Sequence, residues 1–329
     1  MEPDGHIYFH APCFDGIASA VLTWDFLERH RSWVRPALHA VNYDLRENWL
    51  GTDLARPCAV VDFLYHPQAD FWADHHLTSF LTDAAREDFE RRRGPAIVYD
   101  DKAGSCAMLL WEHLQRTFDH RNESYAELVK WADKIDAARY DSVTEAIFPS
   151  ASALRISLGL VFGDQDGYCA GVVEALRKQR LEEVAELPGV KQRFNRAQSL
   201  IEAGLDRFKA GARLEKDGIA VFDVDGKDTI ISRYAPYYFY PEARYSAGIV
   251  RWERGAKITA MRNPWKDFDS VPLGRICEQL GGGGHRRVGS IFLGGERASD
   301  APDLLNRLLS EIRREEREKG RKPVDGRTP

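Results

Sequence analysis

The sequence predicts an α/β protein with a parallel-sheet amino-terminal domain that carries helices on both faces. A helical linker would join it to a smaller mixed α/β carboxyl-terminal domain. Strand-like and helical patterns alternate through the first 140 residues, the rhythm of a parallel sheet. Residues 58–64 are almost continuously apolar, as in a strand buried on both faces. A chain of 329 residues is long enough for two domains, which we place at residues 1–190 and 215–329, with a linker at 191–214.

Short apolar runs give the strands of the first domain, and 3.6-residue periodicity gives its helices. The expected strands are residues 7–9, 37–41, 58–64, 71–73 and 96–99. The expected helices are residues 15–30, 105–117, 125–138 and 172–188, followed by a long helix of mixed charge at 191–214 that would form the linker.

The second domain shows shorter and more mixed signals. Its expected strands are residues 218–223, 247–251, 257–260 and 290–293, and its expected helices are 270–280 and 301–318. Ser270 is a suitable cap for the first of these helices. The polar end, residues 320–329, is expected to fray.

Composition restricts the class of function. The net charge of −5 disfavours a protein that coats long duplex nucleic acid, and favours a short anionic substrate held by a few cations. No apolar run approaches the roughly 20 residues of a membrane helix, and the amino terminus lacks a signal-peptide pattern. The missing apolar run predicts no membrane partner, and five scattered cysteines without a Cys-x-x-Cys pair indicate reduced thiols in a cytoplasmic protein. Apolar helix surfaces leave a homodimer open.

Metal-binding residue types follow three of the predicted strands. His10, Cys13 and Asp15 come after the first strand, and Asp62 lies in the third. Asp74 comes directly after the fourth strand and is followed by His75 and His76. Carboxyl ends of parallel strands meet at one crevice, so these side chains should share a cleft. Asp133 and Asp136 lie on one face of a predicted helix, and either could complete the set. Carboxylates and imidazoles without several thiolates favour Mn²⁺, Mg²⁺ or Fe²⁺ over structural zinc.

Each residue has an ordinary structural alternative. A histidine near a strand end is often a structural residue, Asp15 is a suitable helix cap, and Cys13 is as readily a small buried thiol as a ligand. Asp62 is the hardest to explain this way, because an unpaired carboxylate in an apolar run is costly to bury.

Two segments of the second domain suggest substrate binding. The run from Gly281 to Gly284, followed by His285, Arg286 and Arg287, could bring backbone amides and cations close to an anion, with Gly283 and Gly284 nearest to it. Arg262 is a weaker candidate for the same pocket, and a flexible turn with solvated cations is the alternative. Residues 232–245 interleave aromatics with arginines, which suits base stacking but is more often core or an interface.

These motifs together resemble the DHH phosphoesterase superfamily, in the branch with the DHH-associated carboxyl-terminal domain. The triplet that names the family is Asp74-His75-His76. The matching motifs are His10-x-x-Cys-x-Asp15-Gly16, Val60-Val61-Asp62, Gly104-Ser105-Cys106-Ala107, Trp131-Ala132-Asp133-x-x-Asp136 and Gly281-Gly-Gly-Gly-His285-Arg286.

The resemblance implies a role for each matched residue. His10, Asp15 and His75 would bind metal, and Asp62 would bridge two divalent ions, with Mn²⁺ favoured and Fe²⁺, Zn²⁺ or Mg²⁺ as alternatives. Asp133 is the better match to the fourth-motif ligand, and Asp136 is its competitor. Asp74 would orient the site, and His76 would approach the scissile phosphate. Cys13 stands where the family often carries an aspartate, which leaves its role as a ligand open and would favour Fe²⁺ or Zn²⁺ there.

The implied activity is hydrolysis of phosphodiesters in short single-stranded oligonucleotides or small nucleotides by metal-activated water. A cyclic dinucleotide phosphodiesterase and a RecJ-like single-strand exonuclease are the closest alternatives, and polyphosphate hydrolysis is a weaker one. A catalytically silent nucleotide-binding regulator also stays open because of Cys13.

Overall fold

The computed structural model describes residues 2–321. They divide into two compact units. The first contains the residues up to 140 together with 149–197, and the second contains 141–148 together with the residues from 198 onward. The division falls inside one long helix, α9 (Pro188–Gly211), to which most of the predicted linker belongs.

The first unit is built on a five-stranded parallel sheet with the order β2-β1-β3-β4-β5. Its strands are β1 (His6–His10), β2 (Ala37–Val41), β3 (Cys58–Val61), β4 (Phe71–Asp74) and β5 (Ile97–Tyr99). The helices along this part of the chain are α1 (Phe14–Arg31), α2 (Asp83–Arg92), α3 (Cys106–Phe118), α4 (Ala126–Asp136), α6 (Ser152–Gly159), α7 (Tyr168–Leu176) and α8 (Leu181–Ala185), while α5 (Val143–Ile147) belongs to the second unit.

Alternate strand residues enter two separate apolar cores. Ile7 and Phe9 pack with α1, α3 and other helices on one face of the sheet. Tyr8 and Val60 pack on the opposite face with residues of α2. This alternation follows from the two-residue period of a strand, and it confirms the predicted parallel sheet with helices on both faces.

Several local features of the first unit differ from the sequence expectation, and one of them is helix α6, which was not predicted. The helix predicted at 172–188 is two helices, because the backbone of Arg180 is extended and its amide donates a hydrogen bond to Glu183 Oε2 at 2.9 Å, which starts α8. Helix α2 was not predicted, since only Ala85 and Phe89 of its ten residues are buried; Thr82 caps it by accepting a hydrogen bond from the amide of Ala85.

The second unit contains a six-stranded mixed sheet with the order β10-β11-β9-β8-β7-β6, in which only β7 and β8 run parallel. Helices α11 and α12 contribute to the apolar core on one face of it. The elements are β6 (Ala212–Leu214), β7 (Ile219–Asp225), α10 (Ala235–Phe239), β8 (Tyr245–Trp252), β9 (Gly255–Arg262), α11 (Leu273–Gln279), β10 (Gly283–His285), β11 (Val288–Gly294) and α12 (Ala301–Arg321). The predicted smaller mixed α/β domain is confirmed as a fold class.

Three sequence expectations in the second unit need correction or fall outside it. Residues 212–214, predicted as the end of the linker helix, form β6. The helix predicted from Ser270 begins only at Leu273, because Pro272 disfavours helical backbone at the residue before it; Ser270 therefore caps nothing. The end predicted to fray lies outside the described residues from 322 onward.

Within residues 2–321, no helix is both long enough and apolar enough to cross a lipid bilayer.

Candidate metal and catalytic site

The strand order places the candidate residues at the switch point of the parallel sheet. Strands β1 and β3 are neighbours, and the chain proceeds from them in opposite directions across the sheet. Ligand crevices in open α/β sheets form outside the carboxyl ends of the strands at such a point. His10 is the last residue of β1, Asp62 follows β3, and Asp74 is the last residue of β4.

Asp62 is the centre of the site. It is 1% exposed, and neither of its carboxylate oxygens has a hydrogen-bond partner. Its backbone has φ +56°, an uncommon left-handed conformation for a residue other than glycine, and its amide donates to the carbonyl of Ala73 at 2.9 Å. Burial, and after it the nearby Asp15 carboxyl, raise the pKa of Asp62 well above its usual value. A buried, unsatisfied carboxylate is costly unless a cation pairs with it.

Two imidazoles face this carboxylate without reaching hydrogen-bond geometry. His10 Nδ1 lies 3.4 Å from Asp62 Oδ2, and His75 Nε2 lies 3.7 Å from Asp62 Oδ1. Both nitrogens are buried and have no hydrogen-bond partner. Burial, followed by the neighbouring His76, lowers the pKa of His10 to about 4, so at neutral pH its ring is uncharged, the form that binds metal.

The other nitrogen of His75 fixes the direction of its ring. His75 Nδ1 lies 3.1 Å from the carbonyl oxygen of Ala103, so Nδ1–H donates there and the lone pair of Nε2 points at the carboxylates. That Nε2 is 3.4 Å from Asp136 Oδ2 and 3.7 Å from Asp15 Oδ2.

Asp74 is hydrogen-bonded on both oxygens and is 0% exposed. Its Oδ1 accepts from the backbone amide of His75 and from His76 Nδ1, both at 2.8 Å, while Oδ2 accepts from the hydroxyl of Ser79. Burial alone would lower the pKa of His76, but the hydrogen bond and charge of Asp74 outweigh it and raise the pKa. Asp74 therefore orients its neighbours and leaves Nε2 of His76 available. Sequence reasoning missed Ser79.

Asp15 is held by the start of helix α3. Its Oδ2 accepts from the amide of Cys106 at 2.7 Å and its Oδ1 from the amide of Ala107 at 2.9 Å. These amides have no partner inside the helix, and the helix dipole favours an anion at this end. Ser105 caps the same helix, which explains the small polar residue in this motif. Burial nevertheless raises the pKa of Asp15.

Gly16 allows helix α1 to start close to β1. A Cβ atom at Gly16 would lie 2.0 Å from the carbonyl oxygen of His10, so no other residue fits there without moving the helix or the strand. The glycine of the first motif thus fixes the distance between His10 and Asp15.

Three groups of potential ligand atoms result, each with all its atoms within 4.8 Å of one another. Asp62 belongs to two groups and His75 to two, which links all three into one cluster. The groups are His10–Cys13–Asp62, Asp62–His75–His76 and Asp15–His75–Asp136.

The structure separates the two aspartates of helix α4. Asp136 joins the cluster through His75, and burial, followed by Asp15, raises the pKa of Asp136 to about 6. Asp133 instead forms an ion pair with Arg139, and its Oδ1 occupies the space beside Gly104, where a Cβ atom would lie 2.2 Å from it. Motif matching favours Asp133 as the metal ligand, whereas the geometry favours Asp136. The reason is that the helix directs Asp133 toward Arg139 and Asp136 toward His75.

Cys13 lies at the amino-terminal end of helix α1. Its sulfur belongs to the group with His10 and Asp62. Burial, followed by Asp15 and Asp136, raises the pKa of its thiol to about 12 when no cation is present.

Tyr43, just beyond the end of β2, was not predicted. Its ring packs edge-on against His10 with centroids 5.0 Å apart, and it also contacts Phe63. Burial, followed by Asp74 and Asp62, raises the pKa of Tyr43. The only available signal was an aromatic residue just after a strand end.

The substrate-binding candidates all lie in the second unit. Gly284 has φ +145°, and a Cβ atom there would lie 2.3 Å from the carbonyl oxygen of Val288. Arg262 stacks its guanidinium 4.6 Å above the ring of Phe268, and its Nε is buried without a hydrogen-bond partner. The amide of Arg262 donates to the carbonyl of Arg287 at 2.9 Å, which brings these two residues together.

The other candidates and the aromatic run behave differently. Arg286 is exposed and pairs with Asp269 at 3.0 Å, Gly283 begins β10, and His285 ends it. Tyr237 is 1% exposed, with its hydroxyl bonded to the carbonyl of Met261 at 2.7 Å. Its ring is therefore core, so the base-stacking interpretation is wrong for Tyr237.

The first-unit residues fit divalent metal ions. Several of their buried nitrogen and oxygen atoms face each other without forming hydrogen bonds. Three carboxylates, imidazoles and one sulfur are typical ligands of Mn²⁺, Fe²⁺ or Zn²⁺. Asp74, Ala103 and the start of α3 supply the outer contacts that orient metal ligands.

No family model and no curated protein matches this chain. Solved structures do. A pGpG-specific phosphodiesterase, PggH from Vibrio cholerae, has a TM-score of 0.69 and 17% identity over 94% of this chain and 99% of its own. An exopolyphosphatase-related protein from Bacteroides fragilis has a TM-score of 0.54 and 13% identity over 94% of this chain and 93% of its own.

RecJ with Mn²⁺ from Thermus thermophilus has a TM-score of 0.58 and 16% identity over 94% of this chain and 52% of its own. All three belong to the DHH superfamily. At these identities the likeness concerns the fold, and it confirms the resemblance read from the motifs: this chain has the fold of the DHH phosphoesterases.

Proposed function

We propose that this protein is a metal-dependent phosphodiesterase that hydrolyses short single-stranded oligonucleotides or small nucleotides. One observation carries the proposal. Buried atoms of His10, Asp62 and His75 that lack hydrogen-bond partners converge at the switch point of the sheet, in a fold shared with a phosphodiesterase and an exonuclease. Burying polar atoms without hydrogen-bond partners destabilises the folded state, so these atoms are not explained by a purely structural role.

The residues that would hold two divalent ions are His10, Cys13, Asp15, Asp62, His75 and Asp136. Asp62, which faces both His10 and His75, would contribute to both metal positions. Bound ions would supply an activated water at neutral pH and neutralise charge on the phosphate oxygens. Mn²⁺ is our first choice because RecJ carries it, and Mg²⁺, Fe²⁺ and Zn²⁺ are the alternatives.

His76 is the proposed catalytic residue, and Asp74 is its positioning residue. The Nδ1–H of His76 donates to Asp74, so Nε2 can contact the scissile phosphate. The Asp74 carboxylate favours a protonated ring, and such a ring would donate a hydrogen bond from Nε2 to a phosphate oxygen as negative charge develops. Tyr43, beside His10, is placed to contact a substrate at the same edge of the sheet.

The second unit is proposed to supply substrate-binding residues. The unpartnered Nε of Arg262 and the exposed side chain of Arg287 offer donors to a phosphate or carbonyl group. The backbone at Gly283 and Gly284 permits close approach of an anion. His285 and Arg286 are further candidates from the same motif.

A short substrate is favoured over a long one. The net charge of −5 gives little general attraction for a long polyanion, and the PggH structure, covered over 99% of its length, is of an enzyme named for a dinucleotide. All five cysteines are free, which supports the proposed cytoplasmic location. Nothing in these comparisons supports a homodimer.

The test is a panel of linear di-, tri- and longer oligonucleotides and cyclic dinucleotides with added Mn²⁺. The wild type should cleave the shortest linear substrates fastest. His75→Ala should abolish cleavage, and His30→Ala, which removes an exposed imidazole at the end of α1, should not. Activity that survives His75→Ala would refute the site. Equal cleavage of long strands would instead identify a RecJ-like exonuclease, and preference for cyclic substrates a cyclic dinucleotide phosphodiesterase.

A catalytically silent regulator is the remaining alternative, and metal analysis separates it cheaply. The phosphodiesterase proposal requires uptake of Mn²⁺, Fe²⁺ or Zn²⁺ by the purified chain. Nucleotide binding without metal uptake or hydrolysis would favour the regulator.

A further inference from the structure

The outer two ligand groups of the cluster differ in donor chemistry. We call His10, Cys13 and Asp62 the sulfur group, and Asp15, His75 and Asp136 the carboxylate group. The first offers one nitrogen, one sulfur and one oxygen, and the second offers two oxygens and one nitrogen. Asp62 lies 3.7 Å from His75 and thereby adjoins both groups.

The sulfur group has features that a structural thiol does not explain. Cys13 occupies the cap position of α1 with extended backbone, and its sulfur faces the ligand cluster as well as the backbone amides of Asp15 and Gly16. Its sulfur lies within 4.8 Å of ligand atoms of both His10 and Asp62. A buried thiol with a packing role would face apolar side chains, whereas this one faces an imidazole and a carboxylate.

The neighbours of the sulfur independently indicate a cation. Asp62 is 1% exposed with neither oxygen hydrogen-bonded, and the buried Nδ1 of His10 also lacks a partner. The two atoms that face each other are 3.4 Å apart, in contact but without hydrogen-bond geometry. A cation that binds nitrogen, sulfur and oxygen together would satisfy all three side chains.

Resting on the phosphodiesterase assignment above, we propose that the two metal positions are chemically unequal. The sulfur group binds a thiophilic divalent ion, Zn²⁺, Fe²⁺ or Co²⁺, through the Cys13 thiolate, whose proton passes to solvent. The carboxylate group binds a harder ion such as Mn²⁺. The physical basis is ligand softness: thiolates select Zn and Fe, whereas carboxylate-rich sites suit Mn²⁺ and Mg²⁺.

Cobalt spectroscopy tests the Cys13–metal bond directly and without substrate. The reduced full-length protein is titrated with Co²⁺ under anaerobic conditions, and the near-ultraviolet thiolate-to-cobalt charge-transfer band is recorded. The band should saturate at one thiolate per chain. Cys13→Ser should lose it while the visible cobalt bands of the carboxylate group persist.

Cys58→Ser is the matched control. Cys58 is a buried thiol at the start of β3, where its Sγ donates to the carbonyl of Gln68 at 3.6 Å, and a serine there keeps that hydrogen bond. This variant should retain the full charge-transfer band. Absence of the band in the wild type, or its survival in Cys13→Ser, would overturn the proposal, as would a wild-type chain that binds no Co²⁺.

Metal competition tests the selectivity. Against a fixed excess of Mn²⁺, Zn²⁺ should fill the sulfur group of the wild type at a lower concentration than it fills the carboxylate group, because the thiolate adds to the general preference of protein ligands for Zn²⁺ over Mn²⁺. Cys13→Asp should lower the preference of the sulfur group for Zn²⁺ over Mn²⁺ by at least about tenfold, the smallest loss of metal affinity expected from mutating a residue that only orients a ligand. An unchanged metal ratio in Cys13→Asp would contradict unequal positions.

The two proposals fail in different ways. A charge-transfer band without hydrolysis of any oligonucleotide would leave the Cys13 site standing and remove the phosphodiesterase. Hydrolysis by a wild type that shows no band would keep the phosphodiesterase and remove the thiolate site.

Discussion

Metal-dependent stabilisation should depend on Asp62 more than on any other carboxylate. Its oxygens lie 3.4 Å from His10 Nδ1 and 3.7 Å from His75 Nε2, and it belongs to two of the three ligand groups. Asp62→Asn keeps the shape of the side chain but removes its charge. We expect it to eliminate the ion of the sulfur group and to weaken the other.

The size of the effect follows from mass action. An ion at 100 times its dissociation constant stabilises the folded state by about 2.7 kcal/mol, so two ions give about 5 kcal/mol. For a unit of this size, about 1 kcal/mol raises Tm by roughly 2–4 °C. With both positions filled by Zn²⁺ and Mn²⁺, the wild type should therefore melt roughly 10–20 °C higher than in a chelator, and Asp62→Asn should show less than half of that shift.

Differential scanning calorimetry with Zn²⁺ and Mn²⁺ together, and with chelator, measures this without any substrate. The matched control is Asp88→Asn on α2, whose carboxylate accepts a hydrogen bond from Tyr65 at 2.7 Å. It should lower Tm in both conditions and leave the metal-induced shift intact. A full wild-type shift in Asp62→Asn would refute the reasoning that this carboxylate bridges the ligand groups.

Three further outcomes are expected. Asp74→Asn removes the charge that orients His76 and should lower kcat/KM about 10- to 100-fold with circular dichroism unchanged; an unaltered kcat/KM would exclude the orienting role. In chelator, the raised pKa of Asp136, about 6, means that the folded state holds a proton which the unfolded state has lost. This carboxyl therefore lowers the free energy of unfolding as pH rises from about 4 to 6. In Asp136→Asn this loss is absent, so the free energy of unfolding should rise more steeply with pH, or fall less, than in the wild type. Identical pH dependence of the two proteins in urea titrations would contradict this. Gly16→Ala places a Cβ atom 2.0 Å from the carbonyl oxygen of His10 and should destabilise the fold by about 3 kcal/mol or more, measured by urea unfolding; wild-type stability would show that α1 can shift.

Much of the fold was predictable because local sequence and tertiary packing agree. Strand β2 begins and ends where its apolar run does, and α1 matches its periodicity to within a residue at each end. The predictions failed where a single backbone feature decided the outcome: Pro272 delayed α11, and the extended Arg180 split one helix into two.

The candidate site was predictable in its residue types more than in its geometry. Parallel strands bring His10, Asp62 and His75 to the same edge, which the order of motifs already implied. The choice between Asp133 and Asp136 depended on a helix rotation and on Arg139, which no spacing rule contains. Ser79 and Tyr43 gave no sequence signal strong enough to single them out.

The sequence by itself determined which chemical groups are available and that strand ends would gather them, because hydrophobic periodicity specifies the sheet and the sheet specifies its carboxyl edge. Only the tertiary structure decided which atoms lack partners. Whether Asp62 is left unsatisfied while Asp15 and Asp74 are fully hydrogen-bonded depends on amides and hydroxyls contributed by distant segments. That difference separates Asp74, whose hydrogen bonds orient the histidines, from Asp62, whose free oxygens would bind the metal.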